Sequence, residues 1–260
     1  MELVKRTIKV GNSAGVLLPR EYLNSQVKII LEPRNVAKDV IEILLEEKLL
    51  PETIGVYITG SYARGEQSVN SDIDVLVVTN KIERKITKEK YEILLVTKKT
   101  LDNQLKNNIL PLLPMIKEAE AIINRKLLDS YKNTKLTKKN LRGYFEIVKS
   151  GLKVNKSAIN VHIDMESDYV SDAIAYSLVL NLRSSYIVDC LIKNKIWSKK
   201  GLINLIKKIT GSNKSYEGYQ RVKTKKKLGE KLAVDEATLL YEYTLSNLNK
   251  QERWLKARRG

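Results

Sequence analysis

Two short apolar segments, TIGVYIT and DIDVLVV, flank a polar stretch that begins with Gly60 and Ser61. Each segment has strand length and is rich in β-branched residues, so we expect two strands joined by a turn and a short helix. Glycine lets a backbone approach closely, and helix amide groups attract phosphate. Asp72 and Asp74 open the second segment two residues apart, so both carboxylates point to one face, with Cβ atoms about 6–7 Å apart.

The paired acids need a positive partner, because two carboxylates in a partly buried site repel each other and one takes up a proton. A divalent cation keeps both ionised. Mg²⁺ prefers oxygen ligands and commonly bridges carboxylates to substrate phosphates. Arg64 adds a guanidinium that suits phosphate oxygens. The alternative is purely structural: a turn and helix, an aspartate capping a strand, and an arginine ion pair.

The full string, G-S-x-A-R-G-x₅-S-D-x-D-x-x-V, resembles the signature of the DNA polymerase β-like nucleotidyltransferase superfamily. It is most similar to the kanamycin-type enzymes and the minimal nucleotidyltransferases of toxin–antitoxin loci. The resemblance implies that Gly60 and Ser61 hold the phosphates of a nucleoside triphosphate and that Asp72 and Asp74 bind two Mg²⁺ ions. It also implies a third carboxylate on a later strand, for which Glu92 in KYEILLVT is the match and the candidate general base. Glu92 as a surface residue of an edge strand is the alternative.

The segment around this motif, residues 35–130, predicts an α/β core with a small mixed sheet. It opens with the amphipathic helix NVAKDVIEILLEEKLL and continues with the strands TIGVYIT, DIDVLVV and YEILLVT. The later stretches PLLPMIKEAEAIIN and RKLLDSYK have helical patterns.

Residues 1–34 predict a small all-β module of three short strands, VKRTIKVG, AGVLLP and QVKIILEP, which is too small to bury a core alone. The segment resembles the AbrB/MazE-type swapped-hairpin domain in its G-N-S-x-G and L-P-[KR] positions. The resemblance implies that two chains interleave into a homodimer and that a basic face can bind DNA. The candidate DNA-binding residues are Lys5, Arg6, Lys9 and Arg20.

Residues 131–260 read as helices throughout and predict an all-α domain, like the helical domain that closes the cleft of kanamycin-type enzymes. In YEGYQRVKTKKK, we expect Tyr219, Arg221 and Lys223 to reach the triphosphate or an RNA backbone. The alternative is a solvated basic loop. No arginine lies four to six residues before His162, the only histidine, which argues against a ribonuclease pair of the HEPN type.

The net charge of +17 is concentrated in this last part of the chain, where 27 Lys and Arg residues oppose 12 Asp and Glu residues. A basic half suggests an anionic partner, although many of these lysines can equally be solvated surface. The longest apolar runs are too short to span a bilayer, and no signal peptide is evident. A single cysteine, Cys190, leaves no disulfide framework and fits a reducing cytoplasm.

These features predict a cytoplasmic, Mg²⁺-dependent nucleotidyltransferase. We expect transfer of a nucleoside monophosphate from an NTP to a hydroxyl acceptor, either RNA such as a tRNA 3′ end or a protein, with release of pyrophosphate. Two alternatives stay open. One is a DNA-binding regulator or antitoxin-like protein that uses the N-terminal module, and the other is a nucleotide-binding scaffold without turnover.

Overall fold

A computed structural model describes residues 5, 7–29, 35–68, 71–227 and 229–257. The chain forms two compact units, residues 1–39 and residues 40–260. The strands are β1 (Ile8–Val10), β2 (Ser13–Gly15), β3 (Thr53–Thr59), β4 (Ile73–Thr79), β5 (Arg84–Lys88), β6 (Tyr91–Thr97), β7 (Glu120–Ile123), β8 (Tyr169–Ser171) and β9 (Glu230–Ala233). The helices are α1 (Val36–Glu46), α2 (Gly60–Ala63), α3 (Lys98–Asn107), α4 (Leu113–Glu118), α5 (Arg125–Lys132), α6 (Lys138–Asp164), α7 (Asp172–Ile192), α8 (Lys199–Thr210), α9 (Lys214–Lys223) and α10 (Val234–Ala257).

The N-terminal unit contains an antiparallel hairpin of β1 and β2, in which Ile8 pairs with Gly15. A single 3₁₀ turn follows Pro19. The first predicted strand is therefore present in shortened form. The second, predicted over residues 14–19, is seen only as far as Gly15, because residues 16–19 are not strand. The expected third strand is not seen over residues 26–29, and residues 30–33 lie outside the described part of the chain. Several apolar side chains of this unit are exposed: Ile8, Val10, Leu17, Leu23, Val27 and Ile29.

The five-stranded sheet of the second unit has the order β5-β6-β4-β3-β7, with β4 and β6 parallel and the other neighbours antiparallel. The predicted mixed sheet is thus confirmed. One expected helix was wrong: in PLLPMIKEAEAIIN the helix ends at Glu118, and residues 120–123 form the edge strand β7. Pairing with the exposed edge of β3 satisfies backbone groups that local helical periodicity does not take into account.

The hydrophobic core of the sheet continues into the helical part of the chain. Tyr57 and Leu76 belong to the same buried cluster as Leu141, Val148 and Leu248. The predicted division between residues 130 and 131 falls within α5. The five-stranded sheet and the first helical layer therefore share apolar contacts, and these contacts position α6 and α7 next to the sheet.

The helical part, from α6 to α10, has a second buried cluster that includes Leu178, Leu182 and Leu240. It is not all-α as expected, because β8 and β9 pair as a small antiparallel sheet. Only three or four residues long, these strands are too short for sequence alternation to reveal. None of the helices in the described ranges is long and apolar enough to cross a membrane.

A buried ion pair holds α7, α9 and the start of β9 together. The Asp172 carboxylate accepts hydrogen bonds from Nε and Nη2 of Arg221, each at 2.7 Å, and from the backbone N–H of Gly229 at 2.8 Å. Its side chain is 1% exposed, so the guanidinium provides the counter-charge that a buried carboxylate requires. Arg221 is therefore committed to the fold in this structure.

Replacing Arg221 with alanine is expected to lower the free energy of unfolding by about 3 kcal/mol, because the Asp172 carboxylate stays buried without its partner. Lys223→Ala is the matched control, since Lys223 is exposed two residues further along α9 and should change stability by less than about 0.5 kcal/mol. Urea denaturation followed by circular dichroism measures both. Equal stability of the two variants would show that the ion pair contributes nothing.

Candidate active site

The site begins where β3 ends. Gly60 has a φ of 69° and starts α2 directly after Thr59. A Cβ atom on Gly60 would lie 2.0 Å from Oδ2 of Asp74. Glycine is therefore required here for two independent reasons, the left-handed backbone and the close approach of a carboxylate.

Sheet pairing brings the predicted acids together. Asp74 lies opposite Thr59 in the β3–β4 pair and beside Glu92 in the parallel β4–β6 pair. Asp72 precedes β4 by one residue and is exposed, whereas Asp74 and Glu92 are half-buried. Burial raises the pKa of Asp74, and the nearby charges of Glu92 and Asp72 raise it further, against opposing effects of Arg64 and Lys85. The three carboxylates thus form one electrostatically coupled group.

Lys85 on β5 supplies a cation to this group. Its Nζ lies 2.6 Å from Oε2 of Glu92. The hydrogen bond to Glu92 raises the pKa of Lys85, and the charges of Asp74 and Asp72 add to the effect. Both side chains of the pair are partly exposed, so the contact is screened by solvent and can be broken at low cost.

The donor chemistry of the acids suits a hard divalent cation, since all three offer carboxylate oxygens. Burial first, and then the charges of Glu92 and Asp72, raise the pKa of Asp74 and so disfavour its ionised form. A bound cation would favour that ionised form. Within the described residues, no three acidic, histidine or cysteine side chains are already gathered in a metal-binding arrangement. The residues fit Mg²⁺ by type and charge, and their side chains would have to converge further to bind it.

Sequence reasoning missed Glu118, the last residue of α4, which is 5% exposed. Its Oε1 accepts the backbone N–H of Gly60 at 2.8 Å, and its Oε2 accepts Nη1 of Arg64 at 2.6 Å. Burial raises the pKa of Glu118, and hydrogen bonds from Arg64 and Gly60 oppose that rise. The stretch KEAE resembles an ordinary charged helix surface, so local sequence carries no signal for this contact.

Arg64 is held on several sides by the protein itself. Besides Glu118, its guanidinium donates from Nε to Oε2 of Glu66 at 2.9 Å and stacks over the Trp197 ring at 4.5 Å. Arg183 of α7 lies 4.9 Å from the same ring. Trp197, in the connection between α7 and α8, therefore sits between two guanidinium groups and joins the helical part to the motif.

The start of α8 makes a second contact with the motif. The backbone N–H of Lys199, the first residue of α8, donates to Oε2 of Glu66 at 3.4 Å. The segment after α2 is thus fixed from two directions, by α4 through Glu118 and by Trp197 and Lys199 near the start of α8. A phosphate contact by Arg64 stays a prediction, since its present partners are all protein groups.

The other predicted ligand residues are dispersed. Ser61 is half-buried on α2, next to Gly60. Tyr219 is buried and its ring stacks on that of Tyr176, with centroids 5.3 Å apart. Arg221 bonds Asp172, and Lys223 is exposed at the end of α9. A role for Tyr219, Arg221 or Lys223 in nucleotide binding stays a prediction.

The candidate DNA-binding residues belong to the N-terminal unit and are described separately. Lys5 and Arg20 are exposed, and Lys9 lies on β1. Arg6 lies outside the described residues.

Comparisons with known proteins concern mainly the segment that contains the candidate site. Residues 37–131 match the family model described as the nucleotidyltransferase domain, close to the predicted range of 35–130. No curated protein matches the sequence. A nucleotidyltransferase-like protein from Exiguobacterium sibiricum is 14% identical, with a TM-score of 0.41, over 84% of this chain and 76% of that one.

Two further solved structures are similar at low sequence identity. The spectinomycin adenyltransferase AAD(9) from Enterococcus faecialis, with ATP and spectinomycin, is 16% identical, with a TM-score of 0.41, over 82% of this chain and 98% of that one. A toxin–antitoxin structure with AMP-PNP is 15% identical, with a TM-score of 0.28, over 47% of this chain and 98% of that one. At such TM-scores the assignment depends on the domain match.

The matched range includes the glycine-opened helix, the paired aspartates and Glu92. It also includes Arg64, Lys85 and Glu118, so the acids and the groups that contact them directly fall in one domain. Residues 37–131 form a nucleotidyltransferase domain, and by this domain the chain is an enzyme of the nucleotidyltransferase class.

Proposed function

We propose that the protein is a Mg²⁺-dependent nucleotidyltransferase that moves a nucleoside monophosphate from an NTP to a hydroxyl group of a macromolecule. The observation that carries the proposal is the position of Asp72, Asp74 and Glu92 at neighbouring strand ends beside the N-terminus of α2. Phosphoryl transfer needs carboxylates that bind metal cations and backbone N–H groups that bind phosphate, close to each other.

In this proposal the triphosphate lies against the start of α2. The N–H of Gly60 is already bonded to Glu118, so Ser61 and the following amides are the groups left to hold phosphate oxygens. Glu118 keeps Gly60 in its left-handed conformation and so acts as a positioning residue. Two Mg²⁺ ions held by Asp72, Asp74 and Glu92 would neutralise the phosphate oxygens and lower the pKa of the acceptor hydroxyl.

The acceptor oxygen attacks the α-phosphorus, a new P–O bond forms, and the bond between the α-phosphorus and the bridging oxygen breaks to release pyrophosphate. The hydroxyl proton passes to the Glu92 carboxylate, the candidate general base. Glu92 is paired with Lys85 in this structure, and the exposed position of that lysine allows it to turn away when a cation enters.

The acceptor that we propose is RNA, such as a tRNA 3′ end, with a protein hydroxyl as the second candidate. Residues 131–260 carry 27 basic and 12 acidic residues, a charge balance that attracts a polyanion and repels a cationic small molecule. Exposed Lys223 and the exposed lysines that follow α9 belong to this basic surface. They lie in the stretch that we expect to contact the triphosphate or an RNA backbone.

For the N-terminal unit we propose a dimer-forming role and contact to DNA through its basic residues. Among the described residues of this unit, six large apolar side chains are exposed, which favours an apolar partner such as a second copy. Lys5 and Arg20 are exposed and available to phosphate. A DNA-binding regulator would lose operator binding on Arg20→Ala and keep it on Asp74→Asn. This difference in operator binding separates the competing function from the enzyme.

The central test is incubation with each α-labelled NTP, MgCl₂ and total cellular RNA and protein. We expect Asp72→Asn and Asp74→Asn each to reduce labelling by at least about 100-fold, because each removes a ligand for the ions that stabilise transition-state charge. Asp129→Asn is the matched control, an exposed carboxylate of the same domain, and should label normally. Wild-type protein that labels neither RNA nor protein would contradict the proposed acceptors, and undiminished labelling by Asp74→Asn would contradict the mechanism.

The raised pKa of Asp74 also predicts a stability effect. Because the folded state raises this pKa, ionisation of Asp74 opposes folding, and stability is lost as the pH rises from the unfolded value through the folded one. Without Mg²⁺, Asp74→Asn should therefore be more stable than the parent at pH 7, and the difference should vanish below about pH 4. Urea denaturation at both pH values measures this.

Added MgCl₂ gives the same prediction an independent readout. A cation that binds the folded site stabilises the parent by mass action, whereas Asp74→Asn should gain much less. A parent that is as stable as the variant at pH 7, or that does not respond to MgCl₂, would show that the carboxylates are not a strained cation site.

Glu118→Gln is expected to reduce activity by about 10-fold, in line with other residues that orient binding groups. Glutamine can still accept the Gly60 N–H but loses the charge that pairs with Arg64, so the effect should fall mainly on the KM for NTP. Glu118→Ala should be worse in both KM and stability. Steady-state kinetics against NTP concentration, with Glu120→Gln as an exposed nearby control, decide the point.

A further inference from the structure

The long helix α6 has an ordinary buried face. Leu141, Phe145, Val148, Leu152 and Ile159 recur at three, four or seven residues and pack in the protein interior. Arg142, Lys149, Lys153 and Lys156 give the helix a charged, exposed face. Between these two faces, an amphipathic helix needs no further apolar residues.

A second apolar stripe nevertheless runs along α6. Ile147, Val154 and Val161 follow one another at intervals of seven residues and are 71%, 64% and 53% exposed, and Met165 at the helix end is 73% exposed. Seven residues are almost two helical turns, so these side chains form one line, which we call the α6 stripe. Scattered exposed apolar residues are normal, but a continuous line of them marks an interaction surface.

The α6 stripe is complementary to a second copy of itself. When two α6 helices run antiparallel with their Val154 residues opposed, position x faces position 308 minus x. Ile147 then faces Val161 of the second copy, and Gly143 faces its Met165. Ser150 faces Ala158 of the second copy, and both of these side chains are small. Each large side chain meets either another of similar size or a glycine, as a two-fold interface requires.

Charge also favours the antiparallel arrangement. The first turn of α6 carries exposed Lys139, and the helix ends at exposed Asp164, which exposed Glu166 and Asp168 follow. Antiparallel helices place the basic end of one copy against the acidic end of the other. Parallel helices would place like charges together and would oppose glycine to glycine, leaving gaps.

We propose that the α6 stripe is a homodimer interface in which two copies pair antiparallel about a two-fold axis at Val154. The pairing rests on α6 alone and does not depend on the enzymatic proposal. It differs from any dimer formed by residues 1–39, because it specifies which positions of α6 meet.

Cysteine cross-linking of the full chain tests these positions. Val154→Cys should form covalent dimers with a short bismaleimide. Ile147→Cys and Val161→Cys should each fail to cross-link alone, since the two copies of either residue lie about 21 Å apart along the helix axes. A mixture of these two variants should cross-link. The native Cys190 is buried, so the parent chain provides the background.

Lys156→Cys on the charged face is the surface control and should not cross-link. Circular dichroism checks that each variant is folded. Cross-linking of Ile147→Cys with itself would indicate parallel pairing and overturn the proposal. A Val154→Cys variant that stays monomeric would overturn the proposal as well. Reaction of its thiol with a monofunctional maleimide would then show that the α6 stripe is exposed to solvent. Protection of the thiol would show that another part of the chain covers the stripe.

Discussion

The parallel pairing of β4 with β6 is the constraint on which the site depends, because it sets the Asp74 carboxylate beside that of Glu92. Two acids at adjacent positions of neighbouring strands repel each other, and partial burial makes the repulsion stronger. Two cations, Lys85 and Arg64, offset part of this repulsion, since both lower the pKa of Asp74. The remaining excess of negative charge is what makes the cluster suitable for a divalent ion.

A second constraint connects this group to the rest of the enzyme. The buried Glu118 carboxylate accepts hydrogen bonds from both the Gly60 amide and the Arg64 guanidinium, so the conformation of the turn at Gly60 depends on a residue 58 positions away. Arg64 in turn stacks on Trp197, which also contacts Arg183. Sheet, motif and helical part are therefore connected through one arginine, and the motif arginine has a structural reason for its presence.

Much of the fold was predictable from local patterns, and the exceptions share a cause. The strands β3, β4 and β6 and the long helices were expected because their apolar residues recur with period two or with the helical period. The edge strand β7 and the β8–β9 pair were not, since each is only three or four residues long and is selected by its partner strand. At the candidate site, Asp72, Asp74 and Glu92 were predicted from spacing and resemblance, and their role in cation binding stays a prediction. The contacts of Glu118 and Trp197 were not predicted.

By itself the sequence determined the class of chemistry, because the glycine–serine turn and the paired aspartates occur within twenty residues whose strand pattern is strong. It also determined that the C-terminal half is basic. Only the tertiary structure decided that Arg221 serves the fold by neutralising Asp172, and that Tyr219 is used in packing. Likewise, only the folded chain shows which apolar residues of α6 are left exposed. Burial and counter-charges depend on residues far apart in sequence, and no local pattern records which distant partner each one meets.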